Sequence, residues 1–216
     1  MNIVAPPWNL TGRGFVLVYC FPRNWALRHG FIPPSRASSF LGGFGAVMLV
    51  DYVSSDCGPY MELLFVPGKF RSASGSSYYA ITKIYVSTQV SVDSGIANWG
   101  IPKELAEFDW VRSNLERVLV AQGDMPIADF QFTSSQTLSL PVTTAVLPAA
   151  LRTLEQHAVD GRTLLTAPSG AGRVRLAKLE DVTVNPALFP DLSDFKPLLT
   201  VKAEPFTLGF PVPRTA

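Results

Sequence analysis

The chain has 216 residues, with 18 Lys and Arg against 17 Asp and Glu and a formal net charge of +1. Without a global field there is nothing to gather nucleic acid or an acidic membrane surface, so the balance points to a neutral or small-molecule partner. Hydrophobic residues make up 47% and charged ones 16%, which calls for a large core or a homo-oligomer interface that hides surface, within one domain over 1–216.

Taken in chain order, Met1-Asn2-Ile3-Val4-Ala5-Pro6-Pro7 lacks a basic region and meets proline before an apolar run can build. It reads as no secretion signal, and a cytoplasmic location is expected. Residues 15–21, Phe-Val-Leu-Val-Tyr-Cys-Phe, form a dense β-branched and aromatic run that predicts a buried strand. Residues 24–29 predict a short helix, closed by Gly30 and stopped by Pro33-Pro34. Residues 45–53, 60–66 and 78–90 predict further strands, separated by turn-forming Ser, Asp and Gly and by Pro67-Gly68. Residues 102–107 and 186–192 each allow a turn or two of helix. Residues 115–122, 130–140, 173–185 and 206–210 predict strands, the third with an alternation at Val174, Leu176 and Leu179 that slips by one residue and calls for a bulge. No apolar stretch approaches the ~20 residues of a membrane-spanning helix. Cys20 and Cys57 are expected to be reduced, buried small hydrophobes. The predicted fold is predominantly β, an antiparallel meander or barrel with a few short helices and no repeat or linker.

Familiar catalytic motifs are absent: no phosphate-binding glycine loop, no H-E-x-x-H and no C-x-x-C. His29 and His157 are the two histidines, which rules out a histidine-rich metal site; both read as structural or surface residues. The segment that stands out is Asn98-Trp99-Gly100-Ile101-Pro102-Lys103-Glu104-Leu105-Ala106. A lysine amine attacks a carbonyl only when unprotonated, and burial among groups such as Trp99, Ile101 and Leu105 destabilises its ammonium form. The same residues also fit a plainer pattern in which Pro102 starts a helical turn and Lys103 is solvated. Local sequence leaves both open. Lys83 is a weaker lysine candidate, because Thr82-Lys83-Ile84-Tyr85 alternates like an ordinary strand.

Gly95-Ile96-Ala97-Asn98-Trp99-Gly100-Ile101-Pro102-Lys103, following the predicted strand at 78–90, resembles the lysine segment of the acetoacetate decarboxylase-like superfamily. Gly12-Arg13-Gly14 resembles that family's arginine-bearing segment, and Cys57-Gly58-Pro59-Tyr60-Met61-Glu62 resembles the turn that brings in a glutamate; Tyr85 also fits the strand register. The resemblance covers roughly residues 5–180 and is strongest from 78 to 108. It implies a closed, cone-like antiparallel β-barrel with a flanking sheet, a pocket in the barrel interior and a homo-oligomer. It further implies that Lys103 forms an imine with a ketone, with Glu62 and Arg13 as catalytic partners and Arg13, Tyr85 and Trp99 as substrate-binding side chains. No metal or organic cofactor is implied, since the iminium itself is the electron sink.

Three departures accompany the resemblance. Glu104 stands where the decarboxylases have a second lysine, Ile96-Ala97 replaces an Arg-Glu pair, and no glutamate occurs near Ala46 to Met48. A carboxylate beside an amine raises the amine's pKa, unless strand alternation points Glu104 away from Lys103. The expected activity is a Schiff-base lyase acting on a small keto acid, by decarboxylation or by an aldol, dehydration or cyclisation step. The competing expectation is a diverged or non-catalytic barrel of the same fold that binds an apolar carbonyl compound or another apolar small molecule. Neither nucleic acid nor membrane is an expected partner.

Overall fold

The computed structural model describes residues 2–135 and 138–216. Strand β1 (Trp8–Cys20) leads into helix α1 (Arg23–His29), and four strands follow: β2 (Phe40–Gly42), β3 (Phe44–Ser54), β4 (Tyr60–Val66) and β5 (Lys69–Arg71). Strands β6 (Ser77–Tyr79) and β7 (Lys83–Val86) precede helix α2 (Gln89–Trp99), after which come β8 (Lys103–Leu105), β9 (Glu107–Val111), β10 (Glu116–Gln122) and β11 (Met125–Ser134). The chain closes with β12 (Leu140–Thr143), β13 (Leu154–His157), β14 (Thr163–Thr166), β15 (Ser169–Val184), β16 (Leu199–Phe210) and β17 (Arg214–Thr215).

The larger sheet runs in the order β8-β7-β4-β3-β1-β16-β15-β11-β10-β9, with β12 added to β15; the smaller one runs β17-β14-β13-β6-β5-β2. Phe15 of β1 stacks on Phe132 of β11 with ring centroids 4.0 Å apart, and lies 6.1 Å from Trp110 of β9. Rings so far apart along the ladder meet only if the sheet curls until its two halves face each other. At its ends Ala106 alone separates β8 from β9, and Gln122 Nε2 donates to the Leu105 carbonyl at 2.8 Å. The inside of this curl is a solid core of Phe15, Leu17, Phe65, Tyr85, Phe130 and Phe132, all fully buried. A hollow barrel interior is therefore not what the aromatic content builds: Phe and Tyr rings close it. A second buried cluster, including Trp8, Leu10, Tyr52, Tyr60, Ile84 and Trp99, lies on the outer face of β1, β3, β4 and β7.

Several expectations are revised. The strand at 78–90 is interrupted, and residues 89–99 are helical. Helix α2 buries Ser91, Val92, Ser94, Gly95 and Trp99, a face of mostly small residues that leaves no apolar stripe to read. Residues 103–105 are extended, so Pro102 does not begin a helix. Residues 186–192 form a hydrogen-bonded turn on the Asn185 carbonyl and no helix. In β15 the register shifts twice, opposite Gly172/Val174 and opposite Gln131/Phe132, and Leu176 is exposed. The strand predicted over 130–140 ends at Ser134, and its part over residues 136–137 lies outside the described residues. The two cysteines are free as expected, but Cys20 is exposed. Among the described residues no helix is long and apolar enough to cross a membrane.

Candidate active site

Strands β7 and β8 are parallel neighbours, Ile84 opposite Lys103, and parallel neighbours need a crossover. Helix α2 is that crossover. Its first turn is capped by the Thr88 side chain, which accepts from the Ser91 amide. It ends at Gly100 with φ 65°, where a side chain would be strained and a Cβ would stand 2.9 Å from the Ala158 amide nitrogen. Beyond Gly100 the chain extends, and alternation sends Lys103 toward α2 and Glu104 outward. The lysine stem then crosses the helix at Gly95, where a Cβ would come within 2.5 Å of Lys103 Cδ. Gly95 and Ser91, one turn apart on one face of α2, provide room for the stem and a partner for its tip.

Lys103 is 6% and Glu62 5% exposed. Lys103 Nζ lies 3.2 Å from Glu62 Oε2, donates to Ser91 Oγ at 3.0 Å and reaches the Tyr60 hydroxyl at 3.5 Å. It stands 4.9 Å from the Tyr60 ring centroid and 5.9 Å from that of Trp8. The other Glu62 oxygen, Oε1, accepts from the Tyr52 hydroxyl at 3.3 Å. Burial, followed by the negative field of Glu62, pushes both Tyr52 and Tyr60 well above the ordinary phenol value. Both remain protonated hydroxyls at neutral pH. The group sits at one end of a cavity of about 550 Å³ between the outer face of β1, β3, β4 and β16 and a cover formed by β6, β13 and residues 144–152.

Three of the side chains singled out from the sequence line this cavity together: Lys103, Glu62 and Trp99. Two do not. Arg13 projects from the other face of β1, donates through Nε to Asp51 at 3.0 Å and approaches Glu204 at 3.7 Å. In β1, residues 8, 10, 16 and 18 line the cavity, so strand alternation turns position 13 away. Tyr85 likewise belongs to the core inside the curl, where its hydroxyl donates to the Leu188 carbonyl at 2.9 Å. The cavity neighbour on β7 is Ile84. Glu104 pairs with Lys83 at 2.6 Å, away from Lys103. Burial works against the Lys83 ammonium, but hydrogen bonds to Glu104 and Tyr85 outweigh it and raise its pKa, which suits a structural cation. His29 lies against Trp25 and His157 near Glu155. Among the described residues no cluster of His, Cys, Asp and Glu is grouped to hold a metal ion.

Sequence reasoning missed Ser91, Tyr52 and Tyr60. The signal for Ser91 was its spacing of four from Gly95, visible only once α2 is known to be a helix. Tyr52 and Tyr60 face each other across the β3–β4 ladder, rings 4.8 Å apart, a pairing that depends on the hairpin register.

No family model and no curated protein matches the chain in sequence. Solved structures do match in fold. The acetoacetate decarboxylase from Legionella pneumophila subsp. pneumophila str. Philadelphia 1 aligns at TM-score 0.71 and 17% identity, over 100% of this chain and 90% of its own. An acetoacetate decarboxylase-like enzyme from Sphingomonas wittichii RW1 aligns at TM-score 0.70 and 10% identity, over 99% and 94%. The enduracididine biosynthesis enzyme MppR, complexed with pyruvate, aligns at TM-score 0.63 and 17% identity, over 99% and 91%. This chain has the acetoacetate decarboxylase-like fold.

Proposed function

We propose that this chain is an enzyme that forms a Schiff base between Lys103 and the carbonyl group of a small-molecule substrate. The observation that carries the reading is a lysine, 6% exposed, with Glu62 as its ion-pair partner at 3.2 Å, standing at the end of an apolar cavity. Glu62 takes a proton from the ammonium, and the freed amine adds to the carbonyl carbon. The carbonyl oxygen takes one proton from the added nitrogen and one back from Glu62, and leaves as water as the nitrogen lone pair closes the C=N bond. Ser91 and Tyr60 orient the nitrogen. The protonated imine accepts the electron pair of a bond broken at the neighbouring carbon, whether carbon dioxide or an aldol partner departs.

The finer reading is a lyase acting on a keto acid or an apolar carbonyl compound. The MppR structures with pyruvate, and with the condensation product of pyruvate and imidazole 4-carboxaldehyde, support carbonyl-compound binding and condensation on this fold beside decarboxylation. A hydrophobic share of 47% against 16% charged residues supports a homo-oligomer that hides surface. The second reading, a binding protein for an apolar small molecule, is favoured by one observation: Arg13, the expected carboxylate clamp, faces away from Lys103.

Borohydride reduction in the presence of a panel of ketones, aldehydes and keto acids, followed by intact-mass and peptide analysis, tests the proposal. A reduced adduct on the Lys103 peptide is expected, and its loss in Lys103→Arg, which keeps a cation beside Glu62. No adduct with any carbonyl compound leaves the binding reading.

A further inference from the structure

The cavity is far larger than a small keto acid needs. At about 550 Å³ it lies in the range of sites that enclose a drug-sized ligand. Along β3 its lining runs from Tyr52, beside Glu62, through Met48 and Ala46 to Phe44, a stretch of roughly 26 Å at about 3.3 Å per residue. Beyond the Lys103 group one charged side chain among the described residues, Arg152, lines it. Its NH1 is held by the carbonyls of Ala167 and Pro168 at 2.8 and 2.6 Å, and its Nε is buried with no hydrogen-bond partner. The far end opens to water between Phe44, Leu147 and Leu151, which line the cavity yet are 59%, 44% and 49% exposed. An apolar mouth on an apolar channel is costly to leave wet and is relieved by an apolar occupant.

We infer that the substrate of this site is an elongated apolar carbonyl compound, its carbonyl at Lys103 and its alkyl or aromatic body filling the channel toward Phe44. The inference rests on the Schiff-base reading for the position of the carbonyl, and on the channel alone for the body. A substrate as small as pyruvate leaves most of the channel unfilled. Each methylene buried along the channel strengthens binding about fourfold.

The test is borohydride trapping by the full chain across acetone, pyruvate, acetoacetate, undecanone and acetonaphthone. Undecanone and acetonaphthone are expected to half-saturate the Lys103 adduct at concentrations at least about a hundredfold below acetone. Ala46→Phe, which narrows the channel midway, is expected to reduce that preference at least about tenfold. Equal or better trapping of the small compounds, or a preference untouched by Ala46→Phe, overturns the substrate class and leaves the Schiff base intact. If nothing is trapped, the Schiff-base reading falls and equilibrium dialysis decides the rest: retention of undecanone by the protein keeps the apolar class, and its absence ends it.

Discussion

Two groups of charged side chains occupy opposite faces of one sheet and are built differently. At one end of the curl Asp51 accepts from Arg13 and Arg112, Glu204 meets Arg13, Arg175 and Lys202 at 3.7, 3.4 and 2.9 Å, and Lys202 reaches Glu116 at 2.7 Å. Each of these carboxylates is taken up by its neighbours or, for Glu116, by Lys202 and the Trp110 indole. On the outer face Lys103 has one carboxylate and two hydroxyls, and then open volume. Charge, with at least some buried members, is common to both groups. What separates them is saturation: a cross-linked network holds strands together, whereas a lone pair beside a cavity has a nitrogen free to meet a ligand.

The comparison breaks most easily at Lys103. Lys103→Met leaves Glu62 buried without its cation, which is expected to cost about 3–5 kcal/mol. Lys103→Met combined with Glu62→Leu is expected to recover most of that loss, as a buried pair replaced by apolar side chains usually does. Urea melts of wild type, single and double variants check both statements. A single variant as stable as wild type sinks the idea that buried Glu62 needs Lys103 as its cation. Gly95→Ala comes next: its Cβ, 2.5 Å from Lys103 Cδ, must displace the stem or the helix. The expected cost is about 1–3 kcal/mol from overpacking, with a fall in borohydride trapping at matched folded fraction. Unchanged trapping and stability together would mean that the stem does not need the helix groove.

The sequence carried the β-rich fold, the short helix expected at 24–29 and the segment around Lys103, because dense aromatic runs and a Gly-to-Lys spacing are local signals. It did not carry which face a side chain takes. In β1 the charged Arg13 and the apolar Phe15, Leu17 and Tyr19 share one face, while Trp8, Leu10, Val16 and Val18 share the other. From Gly12 to Tyr19 both faces are buried or half-buried, so alternation of polar and apolar residues marks neither there. In β16 the register shift between Ala203 and Phe206 lets Lys202 and Glu204 join the charge network while Leu208 and Phe210 line the cavity. Strict alternation would have kept all four on one side. Helix α2 stayed hidden because its packing face is Ser and Gly, sized for a lysine stem instead of an apolar core.

Arg13→Gln separates the two faces directly. An arginine that gripped substrate would raise the concentration of carbonyl compound needed for half-maximal trapping. Its position in the Asp51–Glu204 network instead predicts unchanged half-saturation and a stability loss of about 1 kcal/mol, the scale of a half-exposed ion pair. A selective weakening for keto acids over plain ketones would return Arg13 to the site.

The smallest expected effect is the pH dependence of the network at Glu204. Burial raises the Glu204 carboxyl, but the hydrogen bond from Lys202 and the fields of Arg175 and Arg13 outweigh it and hold it below the usual carboxylate range. The folded state therefore gives up this proton more readily than the unfolded chain, whose glutamates titrate near about 4.3. Stability from Glu204 is present above that value and is lost as pH falls through the lower folded value. His157 is also depressed, mainly by burial, and its contribution is lost as pH falls below the ordinary histidine range. The difference between wild type and Glu204→Gln cancels that contribution, along with those of exposed carboxylates. Thermal melts of the pair are expected to differ by no more than about 1 kcal/mol at neutral pH, less in high salt, and to converge in acid. A difference that persists in acid would mean that Glu204 acts through packing and leaves the charge network without a titrating member at this strand.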